Sequence, residues 1–146
     1  MSDSPPLGAT LRVLWRAVFS SAALLIAVLA WLSAQQPASR PDLAETAFYA
    51  AAATSVLGTA AAFWLLRRRD AAIRASSSGE EARLALQSWS LFALVAAEVP
   101  VLVAALAAFL TGEWLTLAFV VPFVAFAALS WPSEARVAGV LAQRRR

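Results

Sequence analysis

Four apolar runs divide the chain, at about 11–34, 43–66, 84–110 and 114–131. Polar or helix-breaking residues separate them. Pro37 and Pro41 lie between the first two, an Arg- and Ser-rich stretch between the middle two, and Thr111-Gly112-Glu113 before the last. A helix crosses the roughly 30 Å apolar layer of a bilayer in about 20 residues. The runs therefore predict an all-α fold: an integral membrane four-helix bundle in up-down-up-down order. On this reading 1–10 is a polar cytoplasmic tail, 11–132 the transmembrane domain and 133–146 a basic cytoplasmic tail. The first run is long for a signal peptide, and no A-x-A pattern follows it, so it is expected to stay as a span.

Local signals refine each run. Asp42 is the expected N-cap of the second helix, with Glu45 three residues later. That helix is rich in small residues, and Ala50, Thr54, Gly58 and Ala62 repeat every fourth position. Lipid gives helices no hydrophobic reason to associate, so a ladder of small side chains that admits close backbone approach predicts a packing face. The polar stretch from Arg67 to Arg83 reads as a connector, with Ser76-Ser77-Ser78-Gly79 its flexible part; Glu80 and Glu81 open the third helix. Pro132 ends the fourth. Beyond it, Val137, Val140 and Leu141 are expected to face lipid from a short interfacial helix ahead of Arg144-Arg145-Arg146.

Composition supports a membrane class and adds an orientation. Hydrophobic residues make up 61% of the 146 positions and charged ones 14%, against about 25% charged in soluble domains. All twelve basic residues are Arg. Eleven of these, including Arg67, Arg68 and Arg69, fall on the side of the N-terminus, and only Arg40 on the other. The positive-inside rule then puts both termini in the cytoplasm of a bacterial inner membrane. Trp15, Trp31, Trp64, Trp89, Trp114 and Trp131 each fall near the end of a run, where amphipathic indoles anchor. Arginines placed this way are topogenic, so nucleic acid is not an expected partner; the lipid bilayer is. With no Cys and no His in the chain, thiolate chemistry, His-based catalysis and zinc sites built on them are excluded. No metal, cofactor or enzymatic activity is expected.

Glu98 carries the chemistry. It is the only ionisable side chain deep inside a run, and a charged carboxylate there costs about 2.5–3.5 kcal/mol. Desolvation favours its neutral form, which would let it bind and release a proton or a cation. Pro100 has no N–H and frees the carbonyl of Ala96 one turn back. Gln87 lies three turns before Glu98 on nearly the same face. Thr54, Ser55 and Thr59 of the second helix are its expected hydrogen-bonding or ion-sharing partners. Three roles follow: proton or cation handling, a structural hydrogen bond, or a handle for another membrane protein. Ion handling would need a counter-charge from a partner subunit or a homo-oligomer, because no second charge lies deep inside the runs.

From Arg67 to Leu110, a basic loop leads from a small-residue helix into a helix with a mid-membrane carboxylate. This resembles the hairpin of the proteolipid (c) subunits of rotary ATP synthases, with Leu94-Val95-Ala96-Ala97-Glu98-Val99-Pro100 as the local match. The resemblance implies that Glu98 is the ion-binding carboxylate. The chain departs from that family in having a single glycine, Gly58, in the preceding helix and a much longer polar loop. The whole chain also looks like small uncharacterised four-span bacterial membrane proteins. They share an intramembrane Glu in the third helix, a turn such as Thr111-Gly112-Glu113, and a Pro after the last helix, as in Trp131-Pro132-Ser133. That second likeness implies no activity.

Overall fold

The computed structural model describes residues 7–35 and 38–142. These form five α-helices: α1 (Leu7–Ser33), α2 (Ala44–Ala75), α3 (Gly79–Thr111), α4 (Val121–Leu129) and α5 (Glu134–Ala142). Two 3-10 segments, Pro41–Leu43 and Trp114–Val120, complete the helical part, and no strand occurs among the described residues. Three helices are long and apolar enough to cross a membrane, and a fourth crossing is reached if the bent pair Trp114–Leu129 and Glu134–Ala142 counts as one span. Large apolar side chains cover the outside: Leu24 is 67% exposed, Val56 70% and Leu129 69%. A water-soluble monomer does not present apolar surface on this scale. This is the exterior of a membrane protein.

The α2–α3 hairpin is the largest packed unit. Its buried positions on α2 are Ala51, Ser55, Ala62 and Ile73. Only part of the four-residue ladder is used: Ala62 is fully buried, Gly58 and Thr54 are half-buried, and Ala50 faces outward. Helix geometry explains the drift. At 3.6 residues per turn, a four-residue step rotates about 40° off its face, so Ala50 and Ala62 end about 120° apart. The spacing of Ala51, Ser55, Gly58 and Ala62 averages about 3.7 residues and holds one face.

At Gly58 the α2 backbone lies hard against α3. A Cβ there would sit 2.5 Å from Pro100 Cγ, 2.9 Å from Pro100 Cδ and 2.8 Å from the Ala96 carbonyl oxygen. Pro100 leaves that carbonyl without its helical donor, and Gly58 lets α2 cover it.

Both hairpin helices outrun a bilayer. At 32 and 33 residues they are about 48–50 Å long. The helix runs on through Arg67-Arg68-Arg69 to Ala75, so the expected connector shrinks to Ser76–Ser78. Local contacts keep this polar segment helical. The Arg68 guanidinium lies 4.9 Å from the centroid of Trp64 one turn back, and Arg69 pairs with Asp70 at 2.8 Å. Ser78 then caps α3, its hydroxyl accepting from the Glu81 N–H at 3.1 Å, while the Glu81 carboxylate accepts from the Ser77 N–H at 2.7 Å.

Leu11, Ile73, Ala82 and Leu86 form a second hydrophobic cluster at this arginine-rich end. Val137, Val140 and Leu141 of α5 pack onto it, so these side chains turn to protein and not to lipid. A salt bridge from Arg12 to Glu134 at 3.1 Å fastens α5 to α1. Arg136 donates to the carbonyls of Leu129 and Trp131, closing the end of α4.

The chain between α3 and α4 departs from a simple helix for a local reason. Gly112, at φ 74°, caps α3 in the left-handed region that glycine adopts without strain. The 3-10 helix follows, and Val121 N–H bonds the Ala118 carbonyl. In an α-helix that carbonyl would wait for the N–H of Pro122, which does not exist. The tighter winding also adds length. Seven 3-10 residues and nine α residues span about 28 Å, against about 24 Å for sixteen α residues.

At its other boundaries the chain differs from its sequence pattern by a few residues. The first helix begins at Leu7, ahead of Leu11, and Leu43, not Asp42, holds the N-cap position of α2. Asp42 instead takes a two-point contact from the Arg40 guanidinium, at 3.1 and 3.0 Å. Pro37 and Arg144–Arg146 lie outside the described residues.

Candidate functional site

Glu98 sits on α3, half-buried, beside α1. α1 meets α3 through a stripe of buried and half-buried positions, Leu11, Trp15, Val18, Ala22 and Ile26. The spacing is three or four residues throughout, as helix packing requires. Ser21 borders this stripe, and its hydroxyl contacts Glu98 Oε1 at 3.1 Å. The same hydroxyl lies 2.8 Å from the Val18 carbonyl. The Ser21 hydroxyl thus joins its own helix turn to the Glu98 carboxyl of α3.

The residues expected around Glu98 are not gathered there. Thr54 Oγ1 donates back to its own helix, to the carbonyls of Ala50 at 2.8 Å and Ala51 at 3.1 Å. Ser55 donates across to the Phe119 carbonyl at 3.2 Å. Thr59 lines an open apolar groove with Val56, Phe63 and Pro122. The freed Ala96 carbonyl faces Gly58 on α2. Gln87 is half-buried, but eleven residues put it about 16 Å along the helix from Glu98. Pro100 is buried and shapes the α2 contact. Thus α3 separates two functions by face: one side takes α2, and the side bearing Glu98 takes α1. Among the described residues no group of three acidic side chains could hold a metal ion.

The tryptophans divide as well. Trp15 is 3% exposed and stacks on Phe126 at 6.1 Å, so it packs inside the protein and is not presented to lipid. Trp31 and Trp64 are exposed, at 62% and 53%, as interfacial anchors should be. Trp114 is 37% exposed. Trp89 is half-buried against Phe92, and Trp131 packs on the main core.

Two polar residues with structural weight escaped the sequence reading. Ser21 is one. Thr116 is the other: it is fully buried and donates to the Ala104 carbonyl of α3 at 3.2 Å and the Glu113 carbonyl at 2.9 Å. Its position three residues after Glu113, at the start of an apolar run, was the available signal for a cap-like hydroxyl.

No family model matches the chain, and no curated protein or solved structure is significantly similar to it.

Proposed function

We propose that this chain is a non-catalytic membrane scaffold or assembly factor in which Glu98 is the hydrogen-bonding tie between α1 and α3. The Ser21–Glu98 contact at 3.1 Å carries this reading. It is supported by the scatter of Thr54, Ser55 and Thr59 into unrelated contacts, which keeps the expected oxygens away from the carboxyl. We place four crossings in the bilayer, the fourth being the 3-10 and α4 segment of about 28 Å. Both ends lie on the cytoplasmic side of a bacterial inner membrane. The support is charge: Arg12, Arg16, Arg67, Arg68, Arg69, Arg74, Arg83 and Arg136 precede or follow the crossings at one end, and Arg40 stands at the other.

One observation favours a second reading, proton or cation handling as in the proteolipid hairpin. Glu98 is only half-buried, and Val95, Val99 and Leu102 around it are 47%, 46% and 42% exposed. A partner subunit or a second copy could therefore reach the carboxyl and supply an Arg.

Glu98→Gln separates the readings. The amide keeps both a donor and an acceptor toward Ser21. The tie then survives, and thermal unfolding in detergent stays near that of the parent chain, whereas Glu98→Leu lowers stability by about 0.6–1.7 kcal/mol. Proton flux across vesicles should be the same whether they hold the parent chain or the Glu98→Gln variant. Flux present in the parent and abolished in Glu98→Gln would establish the second reading.

A further inference from the structure

The arginine-rich end contains a small pocket of mixed lining that the Glu98 tie does not use. α1, α2, α3 and α5 wall it together with the turn after α4. Its polar lining is Arg69, Ser90, Ser130 and Arg136; Leu86 and Val137 are among the apolar walls. The cavity is about 20 Å³, room for about one water-sized atom group, and it opens outward.

Three features give it a ligand chemistry. Arg69 is held in place: its side chain is 16% exposed, and Nε and Nη2 both serve Asp70. Arg136 is held by Nη1 on the carbonyls of Leu129 and Trp131. A guanidinium has five N–H donors, so each keeps donors beyond these contacts. Ser90 is the independent sign. It is 5% exposed, lines the cavity, and its hydroxyl has no hydrogen-bond partner among the described residues. The Ser90 oxygen keeps access to the cavity, so an occupant of the pocket can take its hydrogen bond.

We infer that this pocket binds a phosphate group, with one phosphate oxygen lodged between Arg69, Arg136 and Ser90 and the rest of the group in the opening. Arginine is suited to phosphate because its planar fork donates two parallel bonds. The size of the cavity limits the enclosed part to a single oxygen. The pocket lies beside Trp15 and Pro132, next to the Arg67–Arg69 run. On the four-span reading this is headgroup depth, so an anionic lipid is the nearer of the two sources of phosphate, and free phosphate is the other. The pocket itself does not depend on any role of Glu98.

The test is native mass spectrometry of the full chain released from vesicles of phosphatidylcholine with phosphatidylglycerol. The parent chain should retain phosphatidylglycerol. Loss of one charge-assisted contact in Arg69→Gln should lower that retention about tenfold. Ser90→Ala removes a hydroxyl bonded to nothing else among the described residues, so it keeps the fold; it should lower retention about threefold. If phosphatidylglycerol is not retained but inorganic phosphate raises the melting temperature of the parent and not of Ser90→Ala, the site is confirmed and its source is free phosphate. Equal retention by all three proteins, or no response of the parent to either probe, overturns the proposal.

Discussion

Gly58→Ala should pull the α2–α3 hairpin apart locally and cost about 1–3 kcal/mol, the usual range for an overpacked core. The added methyl would meet Pro100 Cγ at 2.5 Å, Pro100 Cδ at 2.9 Å and the Ala96 oxygen at 2.8 Å. None of these is the free end of a flexible side chain. A proline ring is fused to its backbone, and a carbonyl oxygen moves only with its helix. The strain therefore cannot be relieved by a rotamer change. Gly58→Leu should cost more still. The diagnosis can be checked in a double substitution. Pro100→Ala removes both ring atoms and restores the N–H that Ala96 lacks. In its presence Gly58→Ala should cost markedly less, a non-additivity read from denaturant titrations of the four proteins in detergent. Equal costs in both backgrounds would mean that the close approach at Gly58 is not what joins the helices.

Ile73→Ala should lower stability by about 2–5 kcal/mol, as expected for emptying a buried aliphatic site. This prediction separates two pictures of the segment after Arg69. A solvated connector would tolerate the change to within about 0.5 kcal/mol. In the structure Ile73 is fully buried beside Leu11, Ala82 and Leu86, and α5 closes the cluster. Arg74, its exposed neighbour, provides the internal control, since Arg74→Ala should be near neutral. Unfolding followed in detergent reads both, and limited proteolysis at Ser76–Ser78 should accelerate only in Ile73→Ala.

These two sites also mark what the sequence could and could not convey. The apolar runs were legible because helices of membrane length need them, and all four became helical. The turn at Thr111-Gly112-Glu113 was legible because a left-handed cap calls for glycine. The continuation of α2 through Arg67–Ala75 was not, because its stabilising contacts are single residues scattered among charges: Trp64 under Arg68, Asp70 beside Arg69, and Ile73 on a face completed by α1 and α5. The 3-10 segment depends on a missing donor at Pro122, a detail visible only once the run is placed in a helix.

For the candidate site, the importance of Glu98 followed from its depth, but its partner did not. Helical spacing assigns residues to faces without saying which neighbour each face meets. The small residues of α2 pointed to Thr54, Ser55 and Thr59. Those bond within α2, reach Phe119 or line an open groove, while Ser21, 77 residues away in the chain, takes the carboxyl.

The central claim is therefore that Glu98 ties α1 to α3 through Ser21. A double-mutant cycle tests it most directly, with unfolding free energies measured in detergent for the parent, Ser21→Ala, Glu98→Ala and the double variant. The account predicts a coupling of about 0.6–1.7 kcal/mol, from the average to the maximum found for hydrogen bonds between membrane helices. A coupling of zero, with the two single losses simply adding, would contradict it.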